Sequence, residues 1–156
     1  MTAFATPAEF RAAFDALLAA THRQLRVYDH DLGLLDLDDA PRLAVLRTLC
    51  VAGGGRRIEI LLDDISRVAR DHPRLMLLLR DFGHVLEIRR ADPDAPRPDQ
   101  AFALADRHGV LLRADKGAVH GALHEDDAAR AAELNQGFEG MWQRSPASVS
   151  ATTLGL

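Results

Sequence analysis

Arg57-Ile58-Glu59-Ile60-Leu61-Leu62-Asp63-Asp64 opens on polar–apolar alternation, runs into an unbroken apolar triplet and stops at paired carboxylates. Alternation marks a strand whose two faces differ, and the continuous apolar run marks one covered on both sides, as in the centre of a parallel sheet. Parallel neighbours require crossover helices, and both are legible. Upstream, Asp39 is a good N-cap, Leu43, Leu46 and Cys50 recur on one helical face, and Gly53-Gly54-Gly55 ends the helix. Downstream, a helical stretch through Pro73 carries Leu75, Leu78, Leu79 and Phe82, closes on Gly83 and leads to a strand at Val85-Leu86-Glu87-Ile88. Leu25, Val27 and Tyr28, running into Asp29-His30-Asp31, form the strand that precedes the first of these helices. Before that strand, Thr6-Pro7-Ala8-Glu9 is a capping box that starts a helix with Phe10, Phe14, Leu17 and Leu18 on one stripe.

The rhythm changes after Asp92-Pro93-Asp94-Ala95-Pro96-Arg97-Pro98, whose three prolines predict an exposed connection. Ala101–Asp106, Val110–Arg113 and Ala118–Leu123 are short strands separated by turn residues, His108-Gly109 and Asp115-Lys116-Gly117, so an antiparallel meander is expected. Asp126 or Asp127 caps a last long helix with Ala131, Leu134, Phe138, Met141 and Trp142 on one face, and Ser148–Leu154 adds an edge strand or frays. The predicted fold class is α/β: a mixed sheet with a parallel strand-helix-strand part followed by an antiparallel meander, helices on both faces. All of 1–156 reads as one domain, with a core over about 22–144.

The 47% hydrophobic and 27% charged content of this 156-residue chain is that of an ordinary globular protein. No apolar run approaches the ~20 residues of a membrane span, and no basic segment followed by an apolar stretch opens the chain, so a cytoplasmic protein without a membrane span is expected. Net charge is −4 and aromatic content 5%, which gives neither a general pull toward phosphate backbones nor many stacking platforms. Nucleic acid is therefore not an expected partner. Cys50, the only cysteine, sits among Leu46, Leu49 and Val51 and reads as a buried, inert thiol. Lys116 is the sole lysine among 19 basic side chains, which reads as a compositional bias.

Three parallel strands with crossover helices, then a meander, then a long helix ending in an apolar-Trp pair: this layout resembles one half of the phospholipase D-like fold, from about Leu25 to Trp142. Active members carry H-x-K-x-x-x-x-D on the first meander strand. The analogous stretch here, Asp99-Gln100-Ala101-Phe102-Ala103-Leu104-Ala105-Asp106, reads D-x-A-x-x-x-x-D, and Arg113-Ala114 stand where a Gly-Ser follows. The resemblance implies a histidine nucleophile, a lysine neutralising the phosphoryl oxygens and an orienting aspartate. At position 99 a carboxylate would instead face the phosphodiester, and like charges ~4 Å apart repel by about 4 kcal/mol at an effective dielectric of ~20. Ala101 supplies no counter-charge. The expectation is a degenerate half with no catalytic residues, no cofactor and no family-type hydrolysis. The resemblance further implies a binding or assembly module, similar to a group of bacterial domains, working as a homodimer or with a protein partner.

Other chemical signals are weaker. Gly53-Gly54-Gly55 lies between helix and strand, the wrong order for a phosphate loop, and reads as a turn. His120 and His124 lack a third ligand at a familiar spacing, so no metal site is predicted. Ligands of open α/β sheets bind outside the carboxyl ends of the strands. Tyr28-Asp29-His30-Asp31 and Asp63-Asp64 occupy such ends, which makes Asp29, His30 and Asp63, together with Asp99 and Asp106 from the meander strand, the candidate ligand-binding wall. A plain capping role for Asp63 or Asp64 is the competing reading. Two alternatives use the same cleft: a metal-assisted hydrolase through its carboxylates and histidines, or a protein binding a phosphate-containing ligand or nucleotide through Arg56-Arg57, Arg89-Arg90 and Arg107.

Overall fold

The computed structural model describes residues 1–145 and 149–150. In chain order the elements are β1 (Thr2–Phe4), α1 (Pro7–Ala19), β2 (Gln24–Asp29), α2 (Ala40–Ala52), β3 (Arg57–Leu62), α3 (Val68–Asp71), α4 (Pro73–Asp81), β4 (Leu86–Arg90), β5 (Ala101–Ala105), β6 (Gly109–Arg113), β7 (Gly121–His124) and α5 (Ala128–Gln143). The strands form one seven-stranded sheet ordered β1-β7-β6-β5-β2-β3-β4. β2, β3 and β4 are parallel, and β5, β6 and β7 are the antiparallel meander. The two parts meet where β2 pairs antiparallel with β5, Leu25 opposite Ala105 and Tyr28 opposite Phe102. The mixed α/β class read from the sequence holds.

Strand alternation sends side chains to two cores. Leu25, Val27, Ile58, Ile60 and Ala103 pack beneath α1, α2 and α4, with Phe14, Leu17, Leu46, Leu75 and Leu79 facing them. Tyr28, Leu61, Phe102, Leu104 and Val110 pack under α5, against Ala131, Phe138, Met141 and Trp142. Phe138 and Trp142 stack with ring centroids 5.6 Å apart, which makes Trp142 core. Beneath α5, Arg26 is held by Glu59 at 3.0 Å and Glu139 at 2.5 Å with its guanidinium over Phe138, so this shielded charge is paired.

Local signals place most helix starts. Thr6 accepts from the Glu9 amide at 3.1 Å, while the Glu9 carboxylate reaches back to the Ala5 amide at 3.2 Å. Asp39 caps α2, and Asp127, not Asp126, caps α5 by accepting from the Arg130 amide at 3.1 Å. The helical stretch before β4 is two helices, because His72 precedes proline and sits at φ −132°, ψ 57°, outside the helical region.

Two expectations are corrected and one strand is added. The first three residues read into the third meander strand, Ala118, Val119 and His120, are loop: Lys116 and Ala118 give their carbonyls to Arg113 at 3.1 and 2.7 Å, and pairing starts only at Gly121. Asp106 is not part of β5 but a turn residue with φ 55°. β1, unforeseen because three residues show no periodicity, closes one edge of the sheet by pairing antiparallel with β7. That close approach requires Gly121, where a Cβ would lie 2.1 Å from the Leu112 carbonyl oxygen and 2.7 Å from Phe4. The edge strand expected over 148–154 lies largely outside the described residues, although the Val149 amide donates to the Ile88 carbonyl at 2.8 Å. No helix among the described residues is long and apolar enough to cross a membrane.

Candidate functional site

Parallel register brings β2 and β3 to a common edge, with Asp29 opposite Leu62, so the residues that follow each strand arrive side by side. There the Asp63 carboxylate gathers four groups. Tyr28 Oη donates to Asp63 Oδ1 at 2.9 Å, and Lys116 Nζ donates to Oδ2 at 2.7 Å and to Tyr28 Oη at 2.9 Å. Arg97 Nη1 stands 3.4 Å from Oδ1 and His30 Nδ1 3.7 Å from Oδ2. Asp63 is nearly buried, whereas the His30 side chain is 56% exposed. Burial first, then the bond to Asp63, raises the Tyr28 hydroxyl far above its ordinary pKa, so it serves as a donor and not as a nucleophile.

A second row lies on the other face. Ala101 is opposite Arg113, and because Tyr28 is opposite Phe102, Asp29 falls on the far side of Ala101. Arg113 reaches across: Nη2 donates to Asp29 Oδ1 at 2.7 Å, Nη1 serves the Lys116 and Ala118 carbonyls, and the guanidinium lies over Phe10 at 5.0 Å. Both side chains are buried, 2% and 6% exposed. Burial raises the Asp29 carboxyl above the usual range, and Arg113 and the His30 amide only partly offset it. The void beside Ala101 is about 10 Å³, room for no more than one water.

Of the residues singled out in the sequence, Asp29, His30 and Asp63 are brought to this edge. Asp99 is exposed nearby, its carbonyl accepting from the Lys116 amide at 2.7 Å. Asp106 lies at the opposite edge, where it accepts from the amides of His22, Arg23 and Gln24 at 3.0, 2.8 and 3.0 Å. Burial works against its charge, but the three amides outweigh it and hold this carboxyl below the ordinary range. It fastens the start of β2 to the end of β5. Asp64 closes a local turn by accepting from the Ser66 amide at 2.8 Å, and neither Asp63 nor Asp64 caps a helix. Sequence reasoning missed Lys116, Arg97 and the inward role of Arg113. The one sequence signal for the first of these is that the sole lysine stands in a turn. Among the described residues no three His, Cys, Asp or Glu side chains converge as a metal site.

A family model described as a domain of unknown function, DUF7931, matches residues 6–154. The chain belongs to the DUF7931 family. No curated protein matches its sequence. Among solved structures, this DUF7931 chain is similar to TrmBL2, an archaeal chromatin protein whose structure shows a novel mode of DNA binding, with TM-score 0.64 and 15% identity over 92% of this chain and 52% of that one. It spans about half the length of that relative. It is also similar to NucT from Helicobacter pylori, with TM-score 0.58 and 14% identity over 92% of this chain and 96% of that one. NucT has the phospholipase D-like fold, and the likeness is one of architecture. The expectation that nucleic acid is no partner is corrected here: a chromatin protein that binds DNA shares the architecture. Net charge describes the whole surface and not the part that meets a ligand, so −4 carried no exclusion.

Proposed function

We propose that this DUF7931 domain is a non-hydrolytic phospholipase D-like binding module whose Asp63 cluster, at the carboxyl edge of β2 and β3, takes a phosphodiester-bearing ligand, nucleic acid foremost. One observation carries the reading: Lys116, Arg97 and His30 all face the single Asp63 carboxylate. Two fixed cations and an imidazole converge on one carboxylate, at the edge where open α/β sheets bind ligands. An incoming phosphate would share Lys116 and Arg97 with Asp63. The architecture shared with a DNA-binding chromatin protein supports the choice of ligand. At the motif positions, Asp99 and Ala101 offer neither nucleophile nor cation, and Arg113 is consumed by Asp29.

Fluorescence anisotropy of labelled single-stranded and duplex oligonucleotides, titrated across salt, tests the proposal. Each phosphate contact contributes about −0.9 to the log K against log salt slope, so Lys116→Met and Arg97→Met should each shallow it by about one. Binding insensitive to salt, or unchanged in both variants, sinks the reading.

A second reading rests on His30, whose Nδ1 is 3.7 Å from the carboxylate that also holds Lys116. That set offers an imidazole, an ammonium and an aspartate from positions other than 99 and 101. The long contact and the open side chain leave the imidazole without a firm orienting bond, which favours binding over catalysis. Hydrolysis of bis(4-nitrophenyl) phosphate that disappears in His30→Ala would reverse the ranking.

A further inference from the structure

Away from the Asp63 cluster, the exposed large apolar side chains lie on one pair of helices, Leu77 among the groove lining between them. Val45 and Val51 of α2 and Leu77 of α4 are 37%, 63% and 43% exposed, and apart from Met1 these are the large apolar residues that face solvent among the described ones. Between α2 and α4 runs a groove of about 390 Å³ with Leu43, Ala44, Leu77 and Leu78 along its floor and walls. Its rim is basic. Arg47 lies over Phe82 at 5.5 Å, Arg74 points from the first turn of α4, and among the described residues neither has a carboxylate within ion-pair distance. Arg80 pairs at 3.0 Å with Asp81, the one carboxylate in the lining. On α2, Ala40, Ala44, Arg47 and Val51 follow helical spacing, so one stripe of that helix faces the groove and continues past it.

An aliphatic floor between arginine walls is unusual on a chain of net charge −4, and it has a definite complement. Solvating Arg47 and Arg74 does not require the apolar floor, and a floor without arginines would accept any apolar helix. Together they select a segment with leucine-like residues at i, i+3, i+4 and i+7 and carboxylates on either side. Nucleic acid would leave the aliphatic floor without a partner. A bilayer surface is disfavoured because the apolar lining, Leu43, Ala44, Leu77 and Leu78, sits in a recess between the two helices. We infer that the α2–α4 groove docks an acidic amphipathic helix of a partner protein. No residue of the groove belongs to the Asp63 cluster.

The test uses the full chain and fluorescein-labelled 16-residue model helices with a leucine stripe, flanked by glutamates in one series and by lysines in the other. The glutamate series should bind with micromolar affinity and the lysine series at least about tenfold more weakly. Leu77→Asp should weaken glutamate-peptide binding about tenfold, and the Arg47→Glu, Arg74→Glu double variant should invert the preference between the two series. All these positions are exposed, and thermal melts that match wild type confirm folding. Equal binding of both series, no binding of any glutamate peptide, capture by anionic phosphatidylglycerol vesicles or by duplex DNA that these substitutions abolish, or self-association removed by Leu77→Asp would each overturn the inference.

Discussion

Arg113 passes over Ala101 to donate to Asp29 at 2.7 Å, joining β6 to β2 across the intervening strand β5. Two strand spacings, about 9.6 Å, separate the outer backbones, and the arginine side chain covers most of that gap. The crossing needs a small residue beneath it. Ala101, the position that the sequence resemblance matches to a motif lysine, is roofed by an ion pair from its neighbours. The space above Ala101 is thus occupied by the Arg113–Asp29 pair.

Installing the family motif should therefore fail. Ala101→Lys inserts a long side chain under the Arg113–Asp29 pair, and overpacking of this kind costs about 1–3 kcal/mol. The urea midpoint should fall with the slope unchanged. Adding Asp99→His should produce no hydrolysis of bis(4-nitrophenyl) phosphate. Robust turnover by that double variant would contradict the account.

Removing Arg113 should cost more than filling the space beneath it. Arg113→Met leaves Asp29 buried without its partner, a loss of about 3–5 kcal/mol, and Asp29→Asn in the same chain should recover part of it. The pH dependence has a defined sign. The folded Asp29 carboxyl already titrates above its unfolded value of about 3.9, so the native state takes up the proton first and this residue favours folding more as pH falls through that window. Without Arg113 the window widens upward, and the variant's deficit in denaturant midpoint should shrink between neutral pH and pH 5.

Asp106 predicts the opposite slope. Its folded carboxyl titrates below the unfolded value, so its contribution is complete above about pH 4 and is lost as pH falls through the folded value. Asp106→Asn tolerates the φ of 55° but weakens three amide contacts, costing about 2 kcal/mol at neutral pH. Urea titrations from pH 7 down to pH 2.5 should show wild type and variant converging.

Gly121→Ala tests the sheet edge. A methyl group 2.1 Å from the Leu112 carbonyl oxygen has no room, and the obstacle is backbone. Loss of several kcal/mol is expected, with amide exchange accelerating first at Ala3, Phe4 and Leu123, where β1 and β7 pair. Wild-type protection there would show that the strands yield easily.

What the sequence disclosed follows the strength of its periodicities. The run Ile58–Leu62 and the stripes of α1 and α5 recur often enough to identify buried faces, and the caps at Thr6, Asp39 and Asp127 are short-range chemistry that sequence displays directly. Asp29, His30 and Asp63 were legible because strand-end position alone brings them together. Lys116 and Arg97 were not, since each reaches Asp63 from a loop and no spacing rule connects positions 63, 97 and 116. Asp106 was misplaced for a related reason: a motif register fixes which strand a residue is near, while a left-handed turn decides which edge of the sheet it serves.

The seam between β2 and β5 has a kinetic consequence. Hairpin β5–β6 closes through a short turn, and the parallel strands assemble through successive crossovers, but Val27 meets Ala103 only after the three intervening helices and two strands have been bridged. Closing so long a loop raises the entropic barrier before any contact rewards it, so this seam is expected to slow folding. Substitutions at Val27 or Ala103 would therefore govern how fast the native state is reached, and those in β4 how long it persists.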